Sequence, residues 1–241
     1  MRLIDLAEQV AKRVPYRVAN FMSPAGLVIA DAVKAQYPDM EVRYFGGYEG
    51  AERVRIAFVD AEYAGEVDFG IRAVDVTWDA RFRLLTHRDV LGSLMSLGLE
   101  REKFGDIIMR EGGAHILTDA VTADYVISDF TKIAMVGVKA TALDLSELQP
   151  KEERVKDIRT TVASMRLDAV ASSGFGMSRT KLANAVNAGL LQVNWQPAKG
   201  PAQEVKEGDV ISMRGRGRMK IESVTGTSRK GRIGVHLQRF M

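Results

Sequence analysis

Cysteine is absent from the 241 residues. Disulfides and thiolate metal sites are therefore excluded, which fits a reducing compartment. No apolar run is long enough to cross a bilayer, and the opening Met1-Arg2-Leu3-Ile4-Asp5 lacks the apolar core of a secretory signal. The chain is expected to be soluble and cytoplasmic, with no membrane partner. Histidine is scarce: His87, His115 and His236 lie far apart without cysteine neighbours, a poor set for a metal site or a triad. No nucleophile–base pair stands at recognisable spacing. Gly226 to Gly231 has the glycine spacing of a P-loop but continues with Arg232-Ile233 and lies between strands, so that motif is rejected. Neither a cofactor nor a metal is expected.

Hydrophobic residues are plentiful, at 46%. The chain is globular, with room for two or three compact units. Its net charge of +3 is unevenly spread. From residue 166 to the end there are 13 Lys and Arg against 5 Asp and Glu, a formal +8; the remainder carries 21 against 26, a formal −5. Such a split points to a polyanion-binding module joined to a more neutral body.

Residues 166–220 hold that module's motifs. Ser178 is an N-cap, with Lys181, Leu182 and Val186 at helical spacing behind it and Gly189 as the stop. On a helical wheel Lys181, Asn184 and Asn187 share the polar half, while Arg179 leaves past the helix start. The first-turn amides form a site for a phosphate. Residues 191–193 and 210–211 read as short strands. Arg214, Arg216, Arg218 and Lys220 alternate with glycine or methionine, and in one strand they would share a face. The expected phosphate-binding surface comprises Arg166, Ser178, Arg179, Lys181, Asn184, Arg214, Arg216, Arg218, Lys220, Arg229, Lys230 and Arg232. It holds few aromatics for stacking bases, so folded, largely double-helical RNA read by shape is the expected target.

Arg166-Leu167-Asp168, Ser178-Arg179 opening a helix, Gly189, Val193-Asn194 and Gly208-Asp209 together resemble the S-four-type RNA-binding domain, with Trp195 where that family usually has glycine. Pseudouridine synthases carry a similar domain and place a catalytic Asp in a comparable Arg-Leu-Asp motif. Here the motif opens the RNA-binding domain itself, and Asp168 is expected to pair with a nearby arginine.

The rest of the chain predicts an α+β fold. Residues 1–64 read as a small N-terminal α/β unit: a helix over 2–14, a helix after Ser23-Pro24, and paired strands over 41–45 and 53–59. The Gly46-Gly47-Tyr48-Glu49-Gly50-Ala51-Glu52 tip is read as a turn rather than an RNA contact through Tyr48 and Arg53. Residues 65–150 follow the order β-α-β-β-α-β of a ferredoxin-like, RRM-like domain. Its elements are a strand over 70–78, a Thr86/Asp89-capped helix to Gly98, strands over 106–109 and 115–117, an Asp119-capped helix and a last strand over 133–138. Gly92 inside the first helix implies close packing there. The third strand lacks base-stacking aromatics, so this sheet is not expected to bind single-stranded RNA in the usual way. Residues 149–154 are a charged linker before the basic domain, 155–241.

With His87-Arg88-Asp89-Val90-Leu91-Gly92-Ser93-Leu94, Arg101-Glu102-Lys103-Phe104-Gly105-Asp106-Ile107 and Thr227-Ser228-Arg229-Lys230-Gly231-Arg232, nearly the whole chain resembles the YlmH-like RNA-binding protein family. That resemblance implies a non-enzymatic protein that binds rRNA and tRNA on the large ribosomal subunit of stalled ribosomes, in quality control of the nascent chain. Relatives also carry cell-division and photosystem labels. An RNA-modifying enzyme and a protein–protein adaptor with an RNA anchor are the alternative readings.

Overall fold

The computed structural model describes residues 2–79, 81, 85–150, 155–228 and 231–240. Residues 151–154 of the charged linker, and Arg229 and Lys230 of the expected surface, lie outside them. The chain forms two compact units, Met1–Lys151 and Glu152–Met241.

The first unit opens with α1 (Leu3–Ala11), β1 (Tyr16–Met22), α2 (Ala25–Lys34), β2 (Met40–Phe45) and β3 (Val54–Asp60). The strands form an antiparallel sheet in the order β1-β3-β2. Both helices cover one face through Leu3, Leu6, Val10, Ala30 and Val33, against Val54, Ile56 and Phe58 of the central strand. The sequence reading missed β1, whose pattern in the structure is mostly half-buried. The helix expected after Ser23-Pro24 forms with Pro24, in helical geometry, as the residue before it, and no side chain caps it.

Next come β4 (Ile71–Trp78), α3 (His87–Ser96), β5 (Phe104–Arg110), β6 (Gly113–Asp119), α4 (Ala120–Asp129), β7 (Lys132–Ile133) and β8 (Val136–Leu143). The sheet order is β5-β6-β4-β8-β7, with every pairing antiparallel. Without β7, this is the ferredoxin-like arrangement. Both caps form: the Thr86 hydroxyl accepts from the Asp89 amide at 3.3 Å, the Asp89 carboxylate accepts from the Thr86 amide at 2.9 Å, and Asp119 accepts from the Thr122 amide at 2.9 Å. Two expectations fail here. The last strand is a hairpin, β7–β8, turned at Ala134 with φ 51°. Gly92 meets no neighbour: a Cβ built there would have nothing within 4 Å.

One carboxylate and one guanidinium join the two sheets of this unit. Asp106 on β5 accepts from the Tyr48 hydroxyl at 2.8 Å and from the amides of Glu52 and Arg53 at 2.7 and 3.0 Å. The Arg53 guanidinium donates to the carbonyls of Phe104 and Phe21 at 2.9 and 3.0 Å. The glycine-rich tip is thus a turn held inward. A Cβ on Gly47, at φ 100°, would stand 2.8 Å from Leu117.

The second unit contains β9 (Val155–Val162), α5 (Leu167–Phe175), α6 (Arg179–Asn187), β10 (Leu191–Val193), β11 (Gln196–Pro197), β12 (Val210–Met213), β13 (Gly217–Thr227) and β14 (Ile233–Phe240). One sheet runs β11-β10-β12-β13-β14-β9. Leu167, Val170, Phe175, Leu182 and Val186 of the helices pack on Leu191, Ile211, Met219, Ile221, Val235 and Leu237 of the sheet, a core of the unit's own.

Candidate nucleic-acid interface

The basic unit presents its cations in separate places. At the start of α6 the Ser178 hydroxyl accepts from the Lys181 amide at 3.3 Å. The amides of Arg179 and Thr180 precede the first intrahelical bond and point out of the helix start, where a phosphate can meet them. Lys181, Asn184 and Asn187 are exposed, while Leu182, Ala185 and Val186 are buried. The helix therefore turns its polar face to solvent.

Beside that start stands Asp168 in the first turn of α5. Arg179 donates to both of its carboxylate oxygens at 3.0 Å, and Arg166 donates to them at 3.3 and 3.1 Å. The Asp168 side chain is 9% exposed, those of Arg166 and Arg179 43% and 53%. Burial by itself pushes the Asp168 carboxyl up; the hydrogen bonds from Arg166 and Arg179, joined by their charges, outweigh it and hold the carboxyl below its ordinary range. One carboxylate between two partly exposed guanidiniums leaves a net positive cluster, whose remaining N–H donors suit phosphate oxygens. The arginine pairing expected of Asp168 is present.

The strand expected over 214–220 begins only at Gly217. Arg214 and Arg216 lie in the turn between β12 and β13, exposed, with Gly215 and Gly217 at φ 77° and 84°. These left-handed glycines reverse the chain, so the four basic residues do not share one face. Arg218 and Lys220 are on β13 and alternate with the buried Met219 and Ile221. They consequently point to the sheet face opposite the helices. Arg218 lies over the Phe240 ring at 5.1 Å, and Lys220 pairs with Glu222 at 2.9 Å. Arg232 reaches back to β9, donating to the Thr161 hydroxyl at 2.9 Å.

The sequence reading overlooked Arg239. It pairs in register with Met219, which sets it on the helix side of the sheet. Its guanidinium sits 5.5 Å from the Phe175 ring, and with Gly215, Arg216, Gly217 and Phe240 it lines a shallow groove of about 540 Å³. The alternation Val235, Leu237, Arg239 was the available signal.

The ferredoxin-like sheet offers no open platform over much of its free face. Val74, Val76 and Trp78 turn toward the helices, so Ile71, Ala73 and Asp75 face away from them. There Ile71, Ala73, Ile108 and Leu117 are covered by Phe21, Tyr48, Phe69, Leu145 and Leu148. Further along, Asp75 accepts from Arg110 and lies 3.6 Å from the buried His115. Burial lowers the His115 pKa, the Asp75 charge opposing it.

The clamp that closes the basic unit joins Asn194 and Asp209. The Asn194 side-chain amide donates to Asp209 at 2.9 Å, its oxygen accepts from the Val210 amide at 2.9 Å, and the Asn194 amide donates to the Val210 carbonyl at 2.8 Å. Asn194 and Trp195 form the two-residue loop of the β10–β11 hairpin, at φ 49° and 61°. A type I′ hairpin demands positive φ at both positions, which explains why glycine is usual at the second. A tryptophan there costs about 1–2 kcal/mol of backbone strain.

Three family models match successive stretches of the chain. Residues 1–63 match the family model "YlmH, N-terminal", residues 65–147 "Putative RNA-binding domain in YlmH" and residues 165–211 "S4 domain". Among solved structures, the cell division protein ylmH from Streptococcus pneumoniae is similar in fold, with a TM-score of 0.51 at 22% identity over 60% of this chain and 88% of that one. The ribosome-associated protein quality control protein P2 of Bacillus subtilis (strain 168) is 36% identical over 231 residues, 95% of this chain and 90% of its own length. The chain belongs to the YlmH family.

Proposed function

We propose that this chain is a non-enzymatic RNA-binding protein that acts on the ribosome. It holds structured rRNA of the large subunit, with tRNA as a second RNA, in quality control of stalled nascent chains. The observation that carries this reading is the Arg166–Asp168–Arg179 cluster at the start of α6, within a segment of formal charge +8. Neighbouring guanidiniums and helix-start amides suit a phosphate backbone. The name of the Bacillus subtilis relative supplies the ribosomal setting. Asp168 is engaged by two arginines, which supports a structural rather than a catalytic carboxylate. Residues 155–241 are assigned most of the affinity, and residues 1–64 and 65–150 the remaining contacts.

Sedimentation of the full chain with purified large and small ribosomal subunits tests the reading. Co-migration with the large subunit, lost as salt is raised, is the expected result. Equal binding to both subunits, or binding by residues 1–150 as tight as by the full chain, overturns it. A modified base left on one substrate RNA overturns its non-enzymatic part.

A further inference from the structure

We propose that Trp195 is a stacking platform for one unpaired nucleobase of the bound RNA, an inference that rests on the RNA-binding reading. Three observations meet at this residue. Its backbone has φ 61° at the second loop position of a two-residue hairpin, a conformation glycine adopts without strain. The ring is only half-buried, and it is not among the residues that form or line the hydrophobic core of the unit. Among the described residues it takes part in no ring–ring or cation–π pair. A residue held in a strained backbone conformation outside the hydrophobic core points to a ligand contact.

The support beneath the ring is rigid. Asn194 is locked by three hydrogen bonds to Asp209 and Val210, and the same Asp209 accepts from the Lys206 amide at 2.8 Å. The hairpin tip is thereby presented with little freedom to lose on binding. Lys206, whose amide joins this clamp, is exposed. Every nucleobase has a π-face, so a stacking contact is tolerant of sequence and adds an unpaired base to an interface that otherwise reads phosphates.

A stem-loop RNA and a blunt RNA duplex of equal nucleotide count, titrated against the full chain, test the proposal. Trp195→Gly is expected to weaken stem-loop binding about five- to 150-fold. It should leave duplex affinity and the salt slope unchanged. Its melting temperature should stand at or above wild type, because glycine accepts the positive φ. Trp195→Phe should keep most of the stem-loop affinity. Wild-type tryptophan emission should be quenched by the stem-loop and not by the duplex. Unchanged stem-loop binding by Trp195→Gly overturns the stacking role alone. Equal weakening toward both RNAs with a lowered melting temperature also overturns it, marking a structural residue. If the wild-type chain holds neither RNA, the RNA-binding reading falls and the stacking role with it.

Discussion

Arg179, the first residue of α6, lies 3.0 Å from both carboxylate oxygens of Asp168, eleven positions earlier in the first turn of α5. This pair ties two helix starts together and leaves the Arg179 guanidinium partly exposed. Removing the carboxylate should loosen both. Asp168→Asn is expected to lower stability by about 1–3 kcal/mol, discounted because both arginines are half-exposed. The folded-state pKa of Asp168 is depressed, so its contribution is complete above the unfolded value of about 3.9 and is lost as pH falls through the lower folded value. Urea titrations of wild type and Asp168→Asn should differ by a constant amount above about pH 5 and begin to converge below about pH 4. A gap that persists undiminished into strong acid contradicts this account.

Phosphate contacts carry no sequence information. Arg179→Ala and Arg216→Ala should each weaken binding about equally across RNA sequences and make the salt slope shallower by roughly one phosphate. A change in sequence preference at constant slope would argue for base readout instead.

Asp106 holds the glycine-rich tip through three hydrogen bonds. Asp106→Ala strands two amides and a hydroxyl at a packed junction and should cost about 2–4 kcal/mol, whereas Tyr48→Phe should cost about 1–2 kcal/mol. Chemical denaturation measures both. RNA affinity at a temperature where the variants stay folded should be untouched, since the tip points inward.

Gly92 lies inside α3 with open space where a Cβ would stand. Gly92→Ala should therefore raise stability by about 0.5–1 kcal/mol, through helix propensity and a less flexible unfolded chain. A lower melting temperature would mean that something packs on that helix face after all.

Local chemistry was what the sequence determined. Ser178, Thr86 with Asp89, and Asp119 announce their helices because a cap acts within three residues, and the periods of Leu182 and Val186 or of Val54, Ile56 and Phe58 mark which face is buried. The order of elements over residues 71–143 was enough for the ferredoxin-like topology, since short connections leave few alternatives. Tertiary structure decided the rest. Whether Arg214 and Arg216 share a strand with Arg218 and Lys220 depends on where Gly215 and Gly217 reverse the chain, and alternation of residues reads the same in a strand and across a tight turn. That Arg218 and Lys220 face away from α6 follows from the layer in which Met219 and Ile221 are buried, a contact among residues distant in sequence. The covering of Ile71, Ala73 and Leu117 by Phe21 and Tyr48 is likewise a docking event between separate sheets, and apolar residues in a strand announce burial without naming the partner that buries them.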